Sequence, residues 1–129
     1  MAYTKTNWVN EGPPAIDADN LNNIENGIYN TDAKVDALQD WINTNIRAGI
    51  TSSVSVAAGG YTDIPVTLSP AMDSAPQVLA TLYSTSTAGA IGSMEAATIN
   101  VSKTGFTIRV FNDGNSSRSP SVRWIAIAI

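Results

Sequence analysis

The chain has 129 residues, 43% of them hydrophobic and 14% charged, which suits one domain, or a small domain with an appendage, and is unlike a disordered tail. It has no cysteine and no histidine, which removes a disulfide scaffold, thiolate metal sites, the usual catalytic triads and most zinc sites. The net charge of −4 is uneven, with three basic against seven acidic side chains in residues 1–50 and four against four in 51–129, so neither half has the basic surplus of a nucleic-acid binder.

Residues 1–16 hold no apolar h-region of a secretory signal, and no apolar run in the chain reaches the roughly 18 residues of a membrane span, so no membrane insertion is expected. Gly12 and the pair Pro13-Pro14 forbid a helix interior and favour an extended arm. Trp8 is a large aromatic on this arm. It either folds back on the following helix or anchors in another protein.

The spacing predicts a helix over residues 17–49. Asp17 is a good N-cap, Ile16 and Leu21 are placed as a hydrophobic staple, and Asp19 suits the positive end of the dipole. Arg47 has the favourable sign near the other end, and Gly49 is a plausible stop. With Leu21 as position a, the a positions are Leu21, Ile28, Val35 and Ile42, and the d positions are Ile24, Thr31, Leu38 and Asn45. Such a two-in-seven seam is narrow for a helix lying on a sheet and is what a self-associating coiled coil needs. Asn and Asp fill the other faces and Gly27 costs about 1 kcal/mol, so the helix is marginal alone. Burying each aliphatic side chain of the seam contributes at most about 1.5–3 kcal/mol, and only with partner helices present. Thr31 and Asn45 are polar seam positions of the kind that fix register. The alternative is a helix packed on the chain's own β domain. β-branched a positions with Leu38 at d tolerate a dimer, whereas Ile24 at d disfavours one.

From residue 50 the pattern turns to period two. Strands are expected at "SVSVA", "DIPVTL", "QVLATLYSTS", "ATINVS", "FTIRVF" and "VRWIAIAI", with turns at Gly59-Gly60, Ser69-Pro70, Thr104-Gly105, Asn112-Asp113-Gly114 and Ser119-Pro120. Six short alternating strands predict an antiparallel β-sandwich over 50–129. The last strand is apolar on both faces, with Ile125, Ile127 and Ile129 opposite Trp124. It is therefore either central in the sandwich or buried between subunits.

Motifs for chemistry are weak. "DADNLNNIE" starts like a calcium loop but lacks the turn glycine, and "KTG" at Lys103–Gly105 lacks the companion nucleophile motif of serine β-lactamases. Asn100 and Asn115 match the short, common glycosylation acceptor pattern. No glycine-rich loop leads a strand into a helix, and the few carboxylates of the β half are scattered. No catalytic residue, cofactor-binding residue or metal ligand is assigned, and no enzyme is expected. The polar stretch "NDGNSSRSPS" is the candidate ligand loop, with Asn112, Asp113, Asn115 and Arg118 suited to a sugar or a protein surface. The alternative, and the more ordinary role for a polar loop, is a solvated hairpin tip.

The opening Tyr3–Ile28, with its core at Trp8, Pro14-Ala15-Ile16 and "ADNLNNIENG", resembles the N-terminal segment of bacteriophage structural proteins: tail, baseplate and head-fibre components of phages of Gram-positive bacteria. The resemblance covers about a fifth of the chain. It implies an arm that attaches to the virion through Trp8, Pro13 and Pro14, followed by a trimeric helical stalk. The C-terminal half is similar to β-sandwich fibre-tip domains, some akin to H-type lectins, though no sugar-binding residue of those lectins is matched. The expectation is an α+β homotrimer with an arm at 1–16, a parallel coiled coil at 17–49 and a β head at 50–129. Its expected place is the virion and its partners are copies of itself, other virion proteins and host cell-surface glycan. A purely structural virion component without a host ligand is the rival.

Overall fold

Asp17 opens the helix as its chemistry predicts. Its Oδ1 accepts from the Asn20 backbone N–H at 2.9 Å, and its carbonyl accepts from the Leu21 N–H at 3.0 Å. The structure, a computed structural model, describes residues 17–83 and 92–129. Helix α1 spans Ala18–Asn45, and six strands follow: β1 Ile46–Ile50, β2 Gly60–Thr67, β3 Gln77–Tyr83, β4 Met94–Ser102, β5 Gly105–Asn112 and β6 Ser121–Ile127. The chain divides into two compact units, Met1–Asp40 and Trp41–Ile129, so the last helical residues belong with the strands.

In the first unit, the described residues are helical from Ala18 onward. In the second, the helix ends at Asn45, short of the expected 49. Asn45 is buried (1% exposed). Its Nδ2 donates to Asp73 Oδ2 at 2.6 Å, its Oδ1 accepts from the Asp73 N–H, and its carbonyl accepts from the Ala128 N–H. Arg47 supplies the positive charge at this end, donating from Nε to the Asn43 carbonyl at 3.0 Å and from its Nη atoms to the Ser69 and Pro70 carbonyls. Ser69-Pro70 is a cis peptide. Gly49 is not a helix stop. It lies in β1 against Trp124, where a Cβ would stand 2.6 Å from Cζ2 of the indole.

The strands form two three-stranded antiparallel sheets, ordered β1-β6-β3 and β2-β5-β4. Alternation assigns the faces. Phe106, Ile108 and Val110 of β5 point inward, as do Val122 and Ala126 of β6. With Val56, Leu68, Met72, Met94 and Ala128 they make the buried core. Phe106 meets Trp124 edge to face at 5.2 Å between ring centroids.

Two expectations need correction. "SVSVA" is not a strand. Its backbone bonds Pro120 and Arg118 through Val54 and Val56, but it makes only one isolated bridge, between Val56 and Arg118, while Val56 fills the core. The sixth strand is instead β1, "IRAGI", paired along its length with Arg123–Ile127. The expected turn at Lys103 is present: Ser102 faces Gly105 across a two-residue turn. Gly105 is required there, because a Cβ would collide with the Val66 carbonyl oxygen. Gly59 supplies the positive φ of the turn before β2.

Candidate functional site

The predicted seam divides. Leu21, Ile28, Val35, Leu38 and Ile42 are 42–61% exposed, and Ile24 is half-buried. Thr31 is also exposed, but its hydroxyl is turned back onto the helix, donating to the Gly27 carbonyl at 2.9 Å. Asn45 does not belong with them. The side-chain amide expected to set register between helices is buried within its own subunit, spent on the Asp73 carboxylate and backbone N–H.

The outer face of β1-β6-β3 is the second apolar surface. Register places Ile46 beside Ile127, Ile125 between Ala48 and Leu79, and Arg123 between Ile50 and Thr81. Leu79 is 75% exposed, and Ile46, Ile50 and Ile125 are also open. The expected pair Ile125 and Ile127 is thus part of a larger face to which β1 and β3 contribute. At its polar end the Arg123 guanidinium lies 3.8 Å from the Tyr83 ring centroid.

The candidate ligand loop is only partly available. Asn112 is fully buried, so it is withdrawn from the ligand set. Its Nδ2 donates to the Val56 and Ser116 carbonyls, and its Oδ1 accepts from the Gly114 N–H at 3.0 Å. Asp113, Asn115 and Arg118 are exposed. Their backbone is tied down, Asp113 N–H to the Ser93 carbonyl and Arg118 N–H to the Val56 carbonyl. Trp8, Pro13 and Pro14 lie outside the described residues. Among the described residues no group of three or more acidic side chains is placed to hold a metal ion.

Sequence reading missed a cluster on the outer face of β2-β5-β4. Asp63 and Arg109 face each other across β2 and β5, and the guanidinium donates Nε–H to Oδ1 and Nη2–H to Oδ2, both at 2.7 Å. The same guanidinium lies 4.2 Å from the Tyr61 ring centroid, and Tyr61 in turn is 6.0 Å from Phe111. The bonds from Arg109 hold the Asp63 carboxyl below its ordinary pKa, and the carboxylate holds Arg109 above its own.

No family model matches the chain, and no curated protein is similar to it. Among solved structures it is similar to an N-truncated R1-type pyocin tail fibre, with 22% identity and a TM-score of 0.53 over 65% of this chain and 70% of that one. It is similar also to the C-terminal part of the P. aeruginosa R1 pyocin fibre, at 21% and 0.52 over 65% and 23%. The third is the tailspike protein gp49 of Pseudomonas phage LKA1, at 26% and 0.51 over 63% and 14%, so the chain spans a small share of these last two. Met1–Asp40 is under a third of the 129 residues, so likeness over 63–65% lies for the most part in Trp41–Ile129. The fold of this chain is one found in tail fibres and tailspikes.

Proposed function

We propose that the chain is a non-enzymatic fibre protein of a bacteriophage virion. Residues 1–16 attach it to the particle, the helix winds with two copies of itself into a coiled coil, and the β head, a sandwich, contacts glycan on the host surface. The observation that carries this reading is that a chain with a tail-fibre fold leaves two apolar surfaces open, the helix seam and the outer face of β1-β6-β3. Apolar surface of this kind marks association. The resemblance of Tyr3–Ile28 supports attachment to other virion proteins and a Gram-positive host, and the neighbours' fold supports a tail fibre.

Light scattering tests the assembly. A subunit of 13.5 kDa gives roughly 40 kDa as a trimer, and a well-folded lone subunit at micromolar concentration overturns the proposal. Labelling of virions with antibody to the head tests its place. Deleting residues 1–16 is expected to abolish virion attachment and leave cell binding intact. Loss of attachment from a protein that never binds cells favours a purely structural component. A zymogram on host wall material tests the absence of catalysis, and a clearing zone overturns it.

A further inference from the structure

The outer face of β2-β5-β4 offers more ligand chemistry than the loop. On the proposed reading of a glycan-contacting head, we infer that the glycan is neutral and is bound by Tyr61, Asp63 and Arg109 rather than by residues 113–118.

Asp63 and Arg109 are pre-positioned. Two bonds at 2.7 Å lock the pair in plane, and the guanidinium is held again by the Tyr61 ring. Their side chains remain 40% and 30% exposed, and Tyr61 is 57% exposed. Each carboxylate oxygen keeps a lone pair beyond the one that Arg109 uses, and Arg109 keeps N–H donors that Asp63 does not take. An acceptor and a donor therefore stand side by side at the surface. A hydroxyl both gives and takes a hydrogen bond, so two neighbouring hydroxyls of a sugar match this couple. The open part of the Tyr61 ring provides an apolar, rigid surface beside it for the C–H face of the same sugar.

Charge selects the class. Asp63 and Arg109 cancel, and the exposed Glu95, paired with Phe111 on the same outer face, adds one negative charge. An acidic saccharide has to compete with Asp63 for Arg109 and also meets Glu95. A neutral one disturbs neither. Because the cluster is ordered on folding, binding loses little further side-chain freedom.

The test uses the full chain on an array of neutral and of uronic- or sialic-acid glycans, with titration of those bound. Tyr61→Ala and Arg109→Gln are compared with a triple loop variant, Asp113→Ala, Asn115→Ala and Arg118→Ala, each checked for wild-type mass and for being folded at the assay temperature. The expected result is binding to neutral glycans, weakened about tenfold or more by either face variant and unchanged by the loop variant. Tyr61→Phe, which keeps the ring, retains binding, and raised salt leaves it unchanged. Tyr61 is exposed, so its variants keep the inference testable if Arg109→Gln fails to fold. Binding that survives the face variants, falls only with the loop variant or is confined to acidic glycans overturns this inference and leaves the glycan-contacting head standing. Binding to no glycan overturns both.

Discussion

At position 112 one buried amide ties three stretches of chain together, receiving Gly114 N–H and donating to the carbonyls of Val56 and Ser116. Asn112→Ala strands those groups, and denaturant unfolding should show a loss of about 1–3 kcal/mol. The sequence contained the signal for this. Phe106, Ile108 and Val110 alternate inward along β5, and 112 keeps the same parity. The polar company of "NDGNSSRSPS" concealed it. The Asp63–Arg109 pair was not legible, because its partners are 46 residues apart and meet only through the β2–β5 register. Its pH signature follows from the sign of the shift. The folded Asp63 has a lowered pKa, so the pair's stabilisation is present above the ordinary aspartate value and is lost as pH falls through the lower, folded value. The melting difference between wild type and Asp63→Asn should therefore be constant near neutrality and close at strongly acid pH. A difference that persists unchanged in acid removes the pair as its cause.

Among the elements, local chemistry announced the start of α1 and long-range pairing decided its end. The Asp17 cap needs only residues within one turn, and it is where the spacing put it. Ile46 and Ile50 are four apart, a separation that shares one face in a helix and also in a strand. What chose the strand was the ladder to Arg123–Ile127, far along the chain. "SVSVA" failed in the opposite direction. Its alternation is perfect and its valine reaches the core, yet irregular bonding to Pro120 and Arg118 takes the place of a ladder. Val35 tests the seam on the proposed trimer reading. It is exposed in the single chain, so Val35→Asp costs an isolated subunit little. In a bundle it sets three charges at one a position. Circular dichroism should show helix lost in the variant, and unchanged helicity at unchanged mass argues against a wound stalk.

For the molecule as a whole, the proposed assembly couples folding to concentration. Melting temperature should rise with protein concentration, as it does when copies bind only the folded state. Leu79 separates the head's contribution from the helix's. Leu79→Lys alters a side chain outside the core and should leave the subunit's own packing intact. On the trimer reading it weakens association of heads, seen as a lower midpoint that recovers at higher concentration. A midpoint equal to wild type at every concentration removes that face from the interface.

The central strand of β1-β6-β3 is also the latest of the six to leave the ribosome. Nascent β1 and β3 have no ladder partner of their own until residues 121–127 emerge, while β2, β4 and β5 can already pair. An interruption of synthesis between Asn112 and Ser121 therefore releases a chain with one finished sheet and two bare, adhesive strands. Such fragments are poised to add to one another edge to edge.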